Sequence, residues 1–133
     1  MPDTTTAIKS LEQGRAAFAF NCAQLGNEHS QKNKYKSHVK KMPMMIKTNG
    51  LGASSAFAFS KRNGSDQTWA LLTSHIEEWL VKKGSLEEAE SLHEKVVTLP
   101  STEYRALTVE ILAFLNWLRR FAEGLIEGED EDN

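Results

Sequence analysis

The stretch Pro100–Leu125, PSTEYRALTVEILAFLNWLRRFAEGL, decides the fold. Tyr104, Leu107, Ile111, Leu115, Leu118, Phe121 and Leu125 recur at steps of three and four residues, so one face of a long helix carries them. Pro100-Ser101 opens that helix, because proline is tolerated where the backbone N–H has no partner. Such a one-sided helix needs other elements to cover its stripe.

Working outward, the same period returns in almost every segment. Ser85-Leu86-Glu87-Glu88 fits a capping box, and Leu86, Ala89, Leu92, Val96 and Leu99 give the helix behind it an apolar face. Before it, Asn63-Gly64 signals a turn and Ser65 or Asp66 caps a helix with the stripe Trp69, Leu72, Ile76, Trp79 and Leu80, which Gly84 stops. Residues 51–62 are ambiguous, since Ala56-Phe57-Ala58-Phe59 alternates weakly, but alanine and the helical flanks favour a short helix. Tyr35, Val39, Met42 and Ile46 form a stripe running to Gly50, with Pro43 predicting a kink or a junction of two helices. The first stripe is Ile8, Leu11, Arg15, Phe18, Cys22 and Leu25, capped by one of Thr4, Thr5 or Thr6 and ended by Gly26. The expectation is a compact all-α bundle of five to seven helices in one domain over residues 1–128. The acidic residues 129–133 are expected to form a disordered tail.

Composition narrows the function. The hydrophobic fraction of 40% suffices for a core, and no apolar run approaches the length needed to span a membrane. The N-terminus lacks a basic region followed by an apolar stretch, and Cys22 is the single cysteine, so a cytoplasmic setting without an intrachain disulfide is expected. His29, His38, His75 and His93 show no paired metal-ligand spacing. Gly50-Leu51-Gly52 fails the dinucleotide fingerprint, because Ser55 stands where the next glycine is required. Ser37-His38-Val39-Lys40 matches S-x-x-K without its companion motifs. No enzyme chemistry, cofactor or metal is therefore expected.

Charge is the distinguishing feature. Between Glu28 and Asp66 there is no acidic residue, while Lys32, Lys34, Lys36, Lys40, Lys41, Lys47, Lys61 and Arg62 supply eight positive charges. A chain of net charge −2 thus joins a +8 segment to a remainder of −10. In helical geometry Lys32, Lys36, Lys40 and Lys47 share a face, expected to be exposed and free of carboxylates. Such a face suits contact with phosphates, which position a strand without reading its sequence. On charge alone, a solvated surface that balances the acidic helices is the plainer reading. A third reading docks the basic segment onto the acidic part of a neighbouring protein. Tyr35, Phe57 and Phe59 are expected to be core, which leaves little for base stacking and favours a contact that follows the backbone.

Leu11-Glu12-Gln13-Gly14-Arg15-Ala16, Tyr35-Lys36-Ser37 with Val39-Lys40-Lys41, and Pro43 with Ile46-Lys47-Thr48-Asn49-Gly50-Leu51-Gly52 resemble one family. So do Glu103-Tyr104-Arg105 and the run Phe114-Leu115-Asn116-Trp117-Leu118-Arg119-Arg120-Phe121-Ala122-Glu123-Gly124. The family is the small all-helical subunit of type III-B CRISPR RNA-silencing complexes, the Cmr complexes, and the likeness covers residues 11 to about 126. It implies a non-catalytic subunit in antiviral defence. Copies of it stack in a minor filament beside backbone subunits and a Cas10-type large subunit, next to target RNA paired with guide RNA. On matching positions it implies an RNA-facing role for Lys40, Lys41 and Lys47, and for Arg15, Lys36 and Arg120. Lys61 and Arg62 join that set on charge alone. Residues 65–99 match only in length and helical character.

Overall fold

The computed structural model describes residues 4–130, with side chains from residue 7 onward. It contains six helices: α1 Thr4–Glu28, α2 Lys32–Asn49, α3 Leu51–Ser60, α4 Thr68–Lys83, α5 Leu92–Val96 and α6 Ser101–Leu125. No strand occurs among the described residues, so the all-α bundle read from periodicity is what forms. The two longest helices, α1 and α6, lie side by side and point the same way. Arg15 meets Glu110, Phe18 faces Phe114, and Phe20 meets Phe121 edge-on. Helix α2 packs on α4 and α6, and α3 closes the end of the bundle against α2, α4 and α5.

The stripes fill one core. Leu107, Ile111, Leu115 and Leu118 of α6 are buried with Tyr35, Val39, Met42 and Ile46 of α2 and Trp69, Leu72, Ile76, Trp79 and Leu80 of α4. Trp79 stacks on Phe114 at 6.1 Å between ring centres. Each fully buried aliphatic or aromatic side chain of this kind stabilises the fold by about 1.5–3 kcal/mol.

Four expectations are corrected. Helix α1 does not end at Gly26 but continues to Glu28. Gly26 serves a different purpose: a Cβ there would lie 2.1 Å from Cε1 of Tyr35, so the buried ring occupies the space a side chain would need. Of the kink or junction expected at Pro43, the junction falls instead at Gly50, whose φ of +91° suits glycine, and α2 stays helical through Pro43. The helix expected from Ser85 shrinks to Leu92–Val96. Its start is set from outside the segment, because the Leu92 N–H donates to Oε2 of Glu77 on α4 at 2.8 Å. Leu86, Leu92 and Val96 are buried all the same, although Ala89 is exposed. Finally, the first apolar stripe is not covered at its start, where Ile8 is 59% exposed. The side chains of Thr4, Thr5 and Thr6, the candidate caps of α1, and residues 131–133 of the acidic tail lie outside what is described.

At the start of α4 the N-cap position belongs to Gln67, which makes no side-chain cap bond, and not to Ser65 or Asp66; Asp66 ties down the first turn from one residue earlier. Its Oδ1 accepts from the Thr68 N–H at 2.9 Å and from the Thr68 hydroxyl at 2.5 Å at the start of α4. Its Oδ2 lies 2.8 Å from Nε2 of the buried His38. Burial alone would raise the Asp66 carboxyl, but the bonds from Thr68 and His38 outweigh it and hold the pKa at about 2.

Candidate nucleic-acid interface

The eight cations singled out from the sequence divide into distinct groups. Two are committed to the fold. The Arg15 guanidinium donates twice to Glu110, from Nε to Oε2 at 2.7 Å and from Nη2 to Oε1 at 2.8 Å. The same carboxylate accepts from Nε1 of Trp79 at 2.9 Å and has Lys83 Nζ at 3.4 Å. Burial alone would raise the Glu110 carboxyl, yet the bonds from Arg15 and Trp79 hold it below the usual range. Lys36 is only 7% exposed. Its ammonium donates to the carbonyls of Ile126 at 3.1 Å and Gly128 at 2.6 Å, tying α2 to the chain after α6.

The expected exposed, carboxylate-free ridge is therefore corrected. Its middle is buried at Lys36, and it meets a carboxylate at Asp130. Lys40 donates to Oδ2 of Asp130 at 2.7 Å, while Oδ1 stands 3.3 Å from Lys36. The hydrogen bond from Lys40 lowers the Asp130 carboxyl and, reciprocally, raises the Lys40 ammonium. No carboxylate appears among residues 29–65, so local sequence could not show this one arriving from the other end of the chain.

The remaining cations stand at the surface. Lys47 is exposed in the last turn of α2, and Arg120 on α6 is exposed beside Arg119, whose Nε donates to Glu123 at 2.9 Å. Lys41 is exposed about 100° around α2 from Lys40. It meets Lys61 across a cleft of about 310 Å³ between α2 and the α3–α4 connection, with His38, Phe57, Asp66 and Trp69 also on its walls. Arg62 faces elsewhere. Its guanidinium lies 3.7 Å from the centre of the Phe59 ring, which in turn stacks on His93.

Two aromatic residues of this cleft were not read as site residues from sequence. Phe57, expected to be buried, is 40% exposed, and Lys61 Nζ stands 5.4 Å from its ring centre. The F-x-x-x-K spacing was the available signal, because positions four apart share a helix face. Trp69 closes the wall: it meets Phe57 edge-on at 5.2 Å and stacks on His38 at 4.0 Å. The cleft continues past Lys41 into an apolar hollow of about 370 Å³ lined by Met44, Met45 and Thr48, where Met44 is 67% exposed.

Among the described residues, no group of histidine, cysteine or acidic side chains is arranged to hold a metal ion, and no helix is long and apolar enough to cross a membrane. The thiol of Cys22 is buried, and that burial pushes its pKa up to about 12, so it is not a ready nucleophile.

A family model described as CRISPR-associated protein (Cas_Cmr5) matches residues 11–125. The fold is similar to the crystal structure of a CRISPR-associated Cmr5 family protein from Thermus thermophilus, with a TM-score of 0.73. That superposition covers 87% of this chain and 96% of the other at 23% sequence identity, a level at which the likeness speaks for the fold. With a family match that spans nearly every helix, the chain belongs to the CRISPR-associated Cmr5 family, the small subunits of type III-B Cmr complexes.

Proposed function

We propose that this subunit is non-catalytic, stacks with copies of itself beside the backbone and Cas10-type subunits, and contacts target RNA along the guide–target duplex through its surface lysines. The observation that carries this reading is the convergence of Lys41 and Lys61, from two helical segments, on one cleft. Lys40, Lys47 and Arg120 extend the positive surface, and Arg62 adds charge on a separate side. Arg15 and Lys36 drop out of the proposed contact set because their charged groups are spent inside the fold.

Phosphate contacts of this type give a weak interaction per copy that stacked copies multiply through effective concentration. If Lys41, Lys47 and Lys61 each neutralise one phosphate, log K should fall with log salt at a slope of about −2, from ~0.7 per single-strand contact. Charge reversal of these three residues should weaken target-RNA capture by the reconstituted complex and leave its composition intact by native mass spectrometry. A complex that loses this subunit on charge reversal would instead favour a protein–protein spacer whose lysines dock on carboxylates. The Lys40–Asp130 contact lends that second reading a specific precedent within the chain. Capture that is unchanged at several salt concentrations refutes the RNA-facing assignment.

A further inference from the structure

We infer that the cleft between α2 and the α3–α4 connection is a subsite for one unpaired nucleobase, with Phe57 as the stacking platform and Lys41 and Lys61 holding the phosphates on either side. The inference rests on the RNA-facing reading and adds to it a contact with a base rather than with the backbone.

Three observations lead to it. The first is the exposed platform. The Phe57 ring is 40% exposed, slightly more than Phe20 on α1 at 37%, and it is held in an edge-to-face contact with Trp69 at 5.2 Å and 87°. Trp69 is itself held, being 5% exposed and stacked on His38, whose ring is anchored by Asp66. A platform ordered before binding loses little entropy when a base arrives. The second is charge. Lys61 now sits over the Phe57 ring at 5.4 Å, where an exposed cation–π contact is weak. A stacked base would take the ring face, and the ammonium would move to the phosphate beside it. Lys41 of α2 lines the same cleft, so cations from two elements border the aromatic wall. The third is size. The mixed hollow of about 310 Å³ and the adjoining apolar hollow of about 370 Å³ fall in the range that holds one small organic group. A base paired within the duplex has both faces covered by its neighbours, so the occupant is a nucleotide outside the helical stack. A stacking contact of this kind tolerates any base, since all of them have a π face.

The test compares a uridine 12-mer RNA with an abasic ribose-phosphate oligomer of the same length and charge, bound to the full chain at low salt. The wild type should prefer the uridine oligomer by about fivefold to 150-fold, the range expected for one stacked base. Phe57→Leu should abolish that preference while leaving abasic binding unchanged, and Lys61→Gln should weaken both oligomers equally. A melting temperature close to that of wild type shows that Phe57→Leu folds. In the reconstituted complex with uridine-rich target RNA, irradiation at 254 nm should cross-link the tryptic peptide spanning residues 48–61, and Phe57→Leu should remove the adduct. Equal binding of both oligomers with a preserved salt slope overturns the base subsite and leaves the phosphate contacts standing. Failure of both oligomers to bind, with no cross-link in the complex, overturns both readings. Loss of the subunit from the complex on Phe57→Leu, with RNA preference retained, assigns the cleft to a protein side chain and also overturns the inference.

Discussion

Replacing Arg15 should cost fold stability rather than RNA capture. Arg15 makes two charge-assisted bonds to Glu110, at 2.7 and 2.8 Å, in a site where both side chains are largely covered. Arg15→Met keeps the aliphatic stem but leaves the carboxylate with only Trp79 and the longer contact to Lys83. Breaking one side of a buried pair costs about 3–5 kcal/mol, and access of water to Arg15 places the loss near ~3 kcal/mol. For 133 residues the unfolding entropy is about 0.28 kcal/mol/K, so the melting temperature should drop by roughly 10 °C. Glu110→Gln should destabilise comparably. The double variant should lose about 1–3 kcal/mol less than the two single losses together, since each alone strands the other partner. The sign of the pH dependence follows from the depressed carboxyl. The stabilisation is full above the unfolded value of about 4.3 and is lost as pH falls through the lower folded value. The deficit of Arg15→Met should therefore hold at neutral pH and shrink in acid. Circular-dichroism melts across pH measure it. A melting point within about 2 °C of wild type, together with impaired RNA capture, would refute the reasoning and return Arg15 to the RNA-facing set.

Three further outcomes are expected. His75 is buried, which lowers its pKa to about 4, and its Nδ1 lies 2.7 Å from the Tyr35 hydroxyl. Protons bind the unfolded chain first, so the His75 contribution should lower stability by up to ~3 kcal/mol between pH 6.5 and 4 and then level off, whatever the carboxylates add below. His75→Gln should flatten that slope in denaturant titrations, and a wild type insensitive to pH in this window would contradict the assignment. Gly26→Ala drives a methyl group into the Tyr35 ring and should cost about 1–3 kcal/mol, less in a Tyr35→Leu background. Equal losses in both backgrounds, measured by thermal melts, would argue against the clash. Asp130→Asn releases Lys40, so the salt slope of single-stranded RNA binding should steepen by about 0.7; an unchanged slope would mean that Lys40 contacts no phosphate.

The helices with long stripes were legible because burial of their apolar faces is periodic and local. What could not be read depended on residues far away in sequence. Ser85-Leu86-Glu87-Glu88 and Ser91-Leu92-His93-Glu94 carry the same S-x-x-E pattern, and only the second begins a helix, because Glu77 of α4 accepts the Leu92 N–H. Gly26 looked like a terminator; its real constraint is a tyrosine that follows the next turn. Helical spacing put Lys36 beside Lys40 correctly, but the chain after α6 returns to bury one and pair with both. Phe57 differs from Phe59 only in which side of α3 it occupies, and the apolar pattern of residues 56–59 has no bias that would reveal it.

The side-by-side, same-direction pairing of α1 with α6 carries a consequence for synthesis. Helix α1 leaves the ribosome well before α6, on which most of its apolar side packs. At about 5–20 residues per second, making residues 29–100 takes roughly 4–15 s, and during that time Phe18 and Phe20 lack their α6 partners Phe114 and Phe121. The decisive step of folding thus waits for the synthesis of α6, and a messenger truncated before residue 101 yields a nascent product prone to aggregate rather than a smaller working subunit.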